Sequence, residues 1–223
     1  MLKIGKIQKS YGDNLIFEDV SFELLEGECL GIIGENGSGK STLIECLLQM
    51  KDIDAGKIEY NFPFKDLKKK VGVQFQEVYF DPNLKVKEII NLFLVVYQTK
   101  IEFIQKYIER LGLEKIMNRY PNKLSGGEKQ KLNILLALMN DPEILICDEI
   151  TTGLDTPTRR SIYDILMELK AQGKTVILVS HYYEELDMIA DKILQIAHRT
   201  GNMLEKASKE WREITRIGDG YND

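Results

Sequence analysis

The sequence has few cysteines and lacks any apolar stretch long enough to cross a membrane. Its three cysteines, Cys29, Cys46 and Cys147, stand alone in apolar segments, without Cys-x-x-Cys spacing and with an odd total. This disfavours a disulfide framework and a thiolate zinc site, and we expect buried thiols in a reducing compartment. No segment approaches the ~20 apolar residues of a membrane span, and residues 1–6 lack a signal-peptide core. We therefore predict a cytoplasmic chain that needs another polypeptide if it works at a membrane.

The chain also lacks an excess of positive charge. The 223 residues carry 30 basic and 35 acidic side chains, which gives a formal net charge of −5. Because polyanions are bound largely through basic residues, no nucleic acid partner is expected. The length suits one large domain, or one domain with an inserted subdomain, and allows a substantial core.

The main feature present is a glycine-rich loop between a predicted strand and a predicted helix. Residues 29–33 are apolar, Gly34–Ser41 has the spacing Gly, four residues, Gly-Lys-Ser, and residues 43–50 favour a helix. Such glycines let backbone N–H groups surround a phosphate, toward which the helix directs its positive end. Lys40 can reach the β and γ oxygens, and the Ser41 hydroxyl is an oxygen ligand for Mg²⁺. The alternative, a glycine turn that only joins two elements, is disfavoured by the complete pattern.

A second small-residue loop opens another predicted helix. Leu124–Gln130 reads Leu-Ser-Gly-Gly-Glu-Lys-Gln. The N–H groups around Gly126 could receive an anion. Ser125 and Glu128 could equally form only a reciprocal helix cap. The two roles are compatible, and both stay open from the residues alone.

Two carboxylates follow the apolar run that begins at residue 143. Asp148 and Glu149 end this run, as expected for a central parallel strand that delivers charge at its carboxyl edge. In a phosphate-loop enzyme the first acid holds Mg²⁺ and the second can orient or deprotonate the attacking water. A pair of surface acids is the alternative. His181 ends the next apolar run, where it could donate to a γ-phosphate, although a lone histidine is more often structural.

Hydrophobic periodicity organises the remaining chain. Strands are predicted at residues 20–24, 57–60, 71–75, 143–149 and 175–180. Apolar residues recur at helical spacing over 86–97 and 101–111, with Gly112 as a helix stop, so 77–140 is predicted to be a helical subdomain. Thr156 is predicted to cap the helix that follows the second carboxylate.

Three aromatic residues allow two interpretations. Tyr11, in a predicted turn, could stack on a purine or be ordinary surface, and its chemistry alone favours surface. Tyr79 and Phe80 could serve a partner interface or the core, and the core is favoured. His198, in a less regular stretch, is predicted to lie on the surface.

Taken together, these features resemble the nucleotide-binding subunit of an ABC transporter. The family's motifs occur in family order over residues 1 to about 198. Tyr11 matches the adenine-stacking aromatic, Gly34–Ser41 the Walker A loop, and Gln76 the Q-loop glutamine. Leu124–Glu128 matches the LSGGQ signature with Glu128 in place of Gln, Ile144–Glu149 matches Walker B and its glutamate, Gly153–Asp155 matches the D-loop, and His181 matches the H-loop histidine. Ile150 and Thr156 stand where the family often has prolines, and neither replaces a reacting group.

The resemblance implies an α/β fold of the P-loop NTPase, ABC type, with a mostly parallel core sheet, an antiparallel β subdomain and an inserted helical subdomain. It implies an ATPase that uses ATP and Mg²⁺. The nucleotide-binding residues it implies are Tyr11, Gly34, Glu35, Asn36, Gly37, Ser38, Gly39, Lys40, Ser41, Thr42, Ser125, Gly126, Gly127, Glu128 and Asp155. The implied catalytic residues are Glu149, His181 and Gln76, and the implied metal ligands are Ser41, Gln76 and Asp148.

The resemblance also implies partners. Two ATP-binding subunits, as a homodimer, would join head-to-tail with ATP between the Walker A loop of one and the signature of the other. An integral membrane permease subunit would bind in a groove near Tyr79 and Phe80 and hold the protein at the cytoplasmic face of the cell membrane. Residues 71–76 look most like ABC-2 type exporters. The alternative is a soluble ABC-type ATPase that serves cytosolic machinery such as Fe–S cluster assembly.

We predict one ABC ATPase domain over residues 1–223. Its expected parts are a nucleotide-binding core with the β subdomain at 1–76 and 141–198, the helical subdomain at 77–140, and a C-terminal tail at 199–223. Trp211, in a possible short helix, lies beyond what the family pattern predicts.

Overall fold

The computed structural model describes residues 1–76, 78–151, 153–206, 208 and 211–212. The strands are β1 (Leu2–Tyr11), β2 (Asn14–Leu24), β3 (Cys29–Ile33), β4 (Ala55–Tyr60), β5 (Val71–Gln74), β6 (Ile144–Asp148), β7 (Thr175–Val179), β8 (Lys192–Ala197) and β9 (Thr200–Leu204). The helices are α1 (Lys40–Leu47), α2 (Leu67–Lys70), α3 (Val86–Tyr97), α4 (Ile101–Arg110), α5 (Gly126–Leu138), α6 (Thr156–Ala171) and α7 (Tyr183–Ile189). Single 3₁₀ turns cover Phe64–Asp66, Leu113–Ile116 and Pro121–Lys123.

A parallel sheet forms the centre of the molecule. Within the described residues the strand order is β4-β1-β2-β9-β8-β3-β7-β6-β5, and the strands from β8 to β5 are mutually parallel. Every residue of β3, β6 and β7 is buried, as expected for strands covered on both faces. Val179 pairs with Ile32 on one side and with Asp148 on the other. The carboxyl ends of these strands, and the segments that follow them, therefore meet at one edge.

Two apolar layers enclose this sheet. Val176 and Leu178 face the layer built from α3 to α7, whereas Ile177 and Val179 face α1 and the strands β1 and β2. This alternation follows from the two-residue period of a strand. Because burial of each large aliphatic side chain stabilises by roughly 1.5–3 kcal/mol, these layers fix the sheet edge that carries the candidate site.

The antiparallel part lies at one side of the sheet. Strand β1 pairs antiparallel with both β2 and β4, which agrees with the predicted antiparallel sheet. One parallel bridge, between Glu18 and Thr200, joins β2 to β9. Strand β9 also pairs antiparallel with β8. The sheet therefore extends past residue 198, where the predicted core ended, and the division into subdomains stays a prediction.

Most predicted helices are present with small differences at their ends. Helices α3 and α4 cover the predicted ranges, and Gly112 follows α4 with φ +64°. The prediction that Thr156 caps α6 is wrong, because Thr156 is the first helical residue. Asp155 is the cap, and its Oδ1 accepts a hydrogen bond from the Thr158 N–H at 2.9 Å. A cap side chain must lie one residue before the helix to reach such an N–H group.

Burial decides the remaining predictions about single residues. Cys29, Cys46 and Cys147 are buried free thiols, as predicted. Trp211 is only 2% exposed and packs against the core layer that includes α7, a contact that the sequence did not predict. In the described part of the chain, no helix combines the length and apolar character required to cross a membrane.

Candidate functional site

The glycine loop gives α1 an uncapped start. Gly39 is the N-cap with φ +105°, and among the residues that the structure describes no side-chain cap accepts a hydrogen bond at this helix start. A Cβ on Gly39 would lie 2.8 Å from Ile16 Cγ2 and 3.2 Å from Phe17 Cδ1. Only glycine fits both the left-handed backbone and this close approach. The free N–H groups and the positive end of the helix dipole therefore remain open to an anion.

Lys40 is held inside this loop. Its side chain is buried, and Nζ donates hydrogen bonds to the carbonyl oxygens of Gly34 at 2.7 Å and Glu35 at 2.9 Å. Burial lowers the pKa of Lys40, and the nearby carboxylates of Glu149 and Asp148 oppose that shift. Ser38 Oγ is buried and has no hydrogen-bond partner among the described residues. An ammonium group, an orphan hydroxyl and uncapped N–H groups together fit a phosphate chain.

The first carboxylate lies next to the loop. Asp148 ends β6, and its Oδ2 accepts a hydrogen bond from Ser41 Oγ at 3.3 Å. Burial raises the pKa of Asp148, and the adjacent Glu149 adds to the shift. A hydroxyl and a buried carboxylate in contact are oxygen donors of the kind that Mg²⁺ prefers.

Glu149 is the meeting point of the predicted catalytic side chains. Its Oε2 accepts a hydrogen bond from Gln76 Nε2 at 2.6 Å, and its Oε1 lies 2.7 Å from His181 Nε2. Its backbone is left-handed, with φ +52°, and its N–H donates to the Val179 carbonyl at 3.0 Å. Gln76 and His181 therefore each contact Glu149, at the sheet edge where the sequence placed Glu149 and His181.

The second predicted anion site is a complete helix cap. Ser125 Oγ accepts from the Glu128 N–H at 3.2 Å, and Glu128 Oε2 accepts from the Ser125 N–H at 2.8 Å. Arg119 Nη1 lies 2.7 Å from the other oxygen of Glu128. The capping interpretation is confirmed, while the anion-binding role stays a prediction. Within the described residues, no hydrogen bond or salt bridge joins 125–128 to the glycine loop.

Tyr11, His198 and Asp155 lie in three separate segments. Tyr11 ends β1 with its ring 44% exposed, and the Nζ atoms of Lys9 and Lys51 each lie 5.4 Å from the ring centroid. His198 is exposed, as predicted, in the turn between β8 and β9. That turn nevertheless lines a cleft of about 660 Å³ with residues 34–38 of the loop. Asp155, predicted to contact nucleotide, caps α6 as described above.

The two neighbouring aromatic residues, Tyr79 and Phe80, differ in their exposure to solvent. Phe80 packs partly buried against the core, as favoured, but Tyr79 is fully exposed, so the core interpretation fails for it. An apolar groove of about 700 Å³ opens beside this connection between α2, β5, α3 and α5. Its lining includes Val78, Phe93, Val96, Tyr97 and Leu136, with Lys68 and Lys69 at the margin.

Sequence reasoning missed a buried carboxylate close to the site. Glu185, on α7, is 3% exposed and accepts hydrogen bonds from Thr151, Tyr163 and Ser180. It also missed the hydrogen bond that Gln130 Nε2 donates to the Ile150 carbonyl at 2.9 Å. The segment around Glu185 reads as an exposed acidic turn, so only its position four residues after His181 could have indicated a role.

Comparison with known proteins identifies the class to which this fold and site belong. The family model described as ABC transporter matches residues 17–152. A Nod factor export ATP-binding protein I from Rhizobium sp. (strain N33) is 36% identical over 206 residues, covering 88% of this chain and 68% of that protein. The methionine import ATP-binding protein MetN from Clostridium tetani (strain Massachusetts / E88) is 33% identical over 213 residues, covering 89% of this chain and 67% of the relative.

Solved structures agree with this result. The ATP-binding cassette MJ0796, solved as a dimer in a post-hydrolysis state with ADP and Pi, has a TM-score of 0.80 and 27% identity, covering 93% of this chain and all of that one. An ATP-binding subunit of an ABC transporter has a TM-score of 0.87 at 22% identity, covering 97% of this chain and 94% of that one, which bears on the fold alone. The chain belongs to the ABC transporter family. It is an ATP-binding subunit of that family and an ATPase, as the motifs predicted, and the predicted fold class is confirmed.

Proposed function

We propose that this chain is the ATP-hydrolysing subunit of an ABC exporter and that two copies close head-to-tail around ATP. The observation that best supports this proposal is that one chain has two separate halves of a nucleotide site. One holds the glycine loop, Asp148 and Glu149 with its contacts to Gln76 and His181, and the other is the exposed start of α5 at Ser125. A second copy would supply the start of α5 to the phosphate held by the first copy. The dimer described for MJ0796 supports this arrangement.

The proposed roles follow from the contacts at the sheet edge. The uncapped N–H groups of α1 and the Lys40 ammonium would bind the phosphates. Glu149 would accept a proton from the attacking water, with Gln76 and His181 fixing its carboxylate. The Tyr11 ring would stack on the adenine.

Ser41, Asp148 and Gln76 are the proposed ligands of Mg²⁺. The first two already contact each other, and Gln76 reaches the same edge through Glu149. When bound, the ion neutralises charge on the β and γ oxygens. The Ser41 hydroxyl donates to the buried Asp148 carboxylate at 3.3 Å and offsets part of its desolvation.

A membrane permease subunit is the proposed partner, which would place the protein at the cytoplasmic face of the cell membrane. The apolar groove beside α3 offers a surface for a helix of that subunit, because Val96 on its lining is 64% exposed. Exposed Tyr79 lies in the same connection from β5 to α3. Export is proposed from the likeness to the Nod factor export protein and from the ABC-2 character of residues 71–76. The import relative MetN makes the direction the first thing to test.

The test is affinity purification of tagged Glu149→Gln protein from detergent-solubilised native cells, followed by mass spectrometry. This variant should bind ATP, fail to hydrolyse it and accumulate as a dimer together with a stoichiometric polytopic membrane protein. Export can then be assigned by the direction in which that complex moves its substrate in membrane vesicles. Recovery of soluble partners alone would contradict the transporter proposal and favour cytosolic machinery.

A matched pair of variants on α3 tests the groove. Val96→Asp places a charge on the groove lining, whereas Leu92→Asp places the same charge on an exposed position of the same helix outside that lining. Only Val96→Asp should release the membrane protein during purification. Equal recovery with both variants would place the partner elsewhere.

A further inference from the structure

Glu185 is a buried carboxylate held by hydroxyl groups. Its Oε1 accepts hydrogen bonds from Thr151 Oγ1 at 2.5 Å and from the Tyr163 hydroxyl, and its Oε2 accepts from Ser180 Oγ at 2.7 Å. No salt bridge of the described residues involves Glu185, although its side chain is only 3% exposed. A buried charge is costly unless it is fully hydrogen-bonded, and the three hydroxyl groups together offset this cost.

Two of the three donors come from the two turns that hold the proposed catalytic side chains. Thr151 lies two residues after Glu149, and Ser180 immediately precedes His181. Ser180 Oγ also accepts a hydrogen bond from the Tyr182 N–H at 3.0 Å, so the same hydroxyl shapes the turn on both sides of His181. The carboxylate of Glu185 therefore joins the Glu149 turn to the His181 turn.

Two further contacts tie the same turns to neighbouring helices. Gln130, on α5, donates a hydrogen bond to the carbonyl of Ile150. The guanidinium of Arg159, on α6, lies 5.0 Å from the ring centroid of Tyr182. Burial raises the pKa of Tyr163, with the hydrogen bond to Glu185 adding to the shift, so its hydroxyl stays protonated and remains a donor. The network is thus anchored on three helices.

Glu149 needs this support because its own backbone is strained. A left-handed φ of +52° in a residue other than glycine is disfavoured and persists only where surrounding contacts fix it. The contacts with Gln76 and His181 depend on the position of that backbone. Displacement of a catalytic group by about 1 Å can reduce turnover by about a hundredfold.

We propose that Glu185 is a positioning residue for ATP hydrolysis, fixing the Glu149 turn and the His181 turn relative to each other through Thr151 and Ser180. The inference rests on the roles proposed above for Glu149 and His181. The hydrogen bonds described above for Glu185 come from protein hydroxyl groups, so its proposed role is to position and not to react. Its effect is on the geometry of turnover, not on the affinity for ATP.

The test removes each hydrogen bond to Glu185 separately in the full chain. Thr151→Val and Ser180→Ala remove the hydroxyls that reach the two turns, and Thr151→Ser keeps the hydroxyl. Tyr163→Phe is the matched control, since it removes a hydrogen bond to the same carboxylate from the middle of α6. Steady-state ATPase assays give kcat and KM, binding of a fluorescent ATP analogue gives affinity, and thermal denaturation gives the folded fraction.

We expect kcat per folded molecule to fall about tenfold or more in Thr151→Val and Ser180→Ala, with ATP affinity within about twofold of the wild type. Thr151→Ser should retain most of the wild-type kcat. Tyr163→Phe should lower the thermal midpoint while keeping kcat. The double variant Thr151→Val/Ser180→Ala should lose less than the product of the single losses, because both act through one carboxylate.

A purely structural role gives a different pattern. All three hydroxyl deletions would then lower the thermal midpoint without changing kcat per folded molecule, and the proposal would be wrong. Glu149→Gln and His181→Ala separate this failure from failure of the site itself. If those two variants lose turnover while Thr151→Val and Ser180→Ala keep it, only the positioning role fails. If they also keep turnover, the catalytic assignment fails first.

Discussion

The carboxylate of Glu128 places a negative charge at the helix start that the proposed dimer would bring to ATP. The Ser125 N–H donates to this carboxylate, and this hydrogen bond, more than the nearby Arg119, lowers the pKa of Glu128. Glu128 is therefore ionised at neutral pH. Because a phosphate would approach the same helix end, the like charge should weaken ATP-driven closure, and Glu128→Gln should strengthen it.

The size of this effect can be estimated from simple electrostatics. Two unit charges about 8 Å apart interact by about 0.5 kcal/mol in water and by about 2 kcal/mol at an effective dielectric constant of about 20. Neutralisation by Arg119 and screening by salt reduce this to about 0.5–1 kcal/mol per site. Two sites per dimer give about 1–2 kcal/mol. Because each dimer binds two ATP molecules, this free energy is shared between them, and the ATP concentration for half-maximal dimerisation should fall about two- to fivefold.

The substitution should leave the helix start intact. Glutamine can serve in the same reciprocal cap as glutamate. The lost ion pair with Arg119 is partly exposed on both sides, at 42% and 27%, so its loss costs at most about 1 kcal/mol. A change in dimerisation would therefore report on charge.

The assay is the dimer fraction against ATP concentration, measured by size-exclusion chromatography with light scattering in the Glu149→Gln background. Glu143→Gln is the control, because Glu143 pairs with Lys70 at 2.6 Å just before β6, away from the carboxyl edge of the sheet. It makes the same change in net charge and should not shift the curve. The Glu128→Gln shift should also shrink at high salt. An unchanged or raised half-maximal ATP concentration in Glu128→Gln would refute the placement of this charge at the phosphate.

Two further substitutions test the site and the tail. Lys40→Ala should weaken ATP binding by more than about tenfold in calorimetry, because it removes a buried ammonium beside the phosphate loop; undiminished binding would contradict the loop assignment. Trp211→Ala should lower the free energy of unfolding by about 3–5 kcal/mol in urea titrations, since Trp211 is 2% exposed and its Nε1 donates to Asp187 Oδ1 at 3.0 Å. A change below about 1 kcal/mol would mean that the tail contributes little to folding.

Local patterns predicted the elements whose signals are complete within a short segment. The helical periodicity of residues 86–97 gave both ends of α3. The glycine spacing before Lys40 predicted a loop that opens onto a helix, and Ser125 with Glu128 predicted the capping box of α5. In each case neighbouring residues determine the backbone, so no distant contact was needed.

Contacts between distant segments were beyond the same reasoning. Burial of Glu185 depends on hydroxyls at positions 151, 163 and 180, and each alone reads as an ordinary polar residue. Tyr79 and Phe80 are neighbours of similar chemistry, yet only Phe80 meets the core. Strand β9 is short and partly exposed, and it is a strand because β8 pairs with it. These outcomes are set by packing partners that periodicity does not identify.

The starts of α1 and α5 differ, and this difference indicates the order of the steps in the proposed ATPase cycle. The start of α1 has no side-chain cap, and the Ser38 hydroxyl beside it has no hydrogen-bond partner among the described residues, so a phosphate can satisfy that hydroxyl and the first N–H groups of the helix. The start of α5 already has its Glu128 N–H bonded to Ser125 and carries a negative charge. The first should therefore bind nucleotide strongly in a single subunit, whereas the second adds only a weak contact. Closure would then follow ATP binding, and each subunit would remain easy to separate once the γ-phosphate is released.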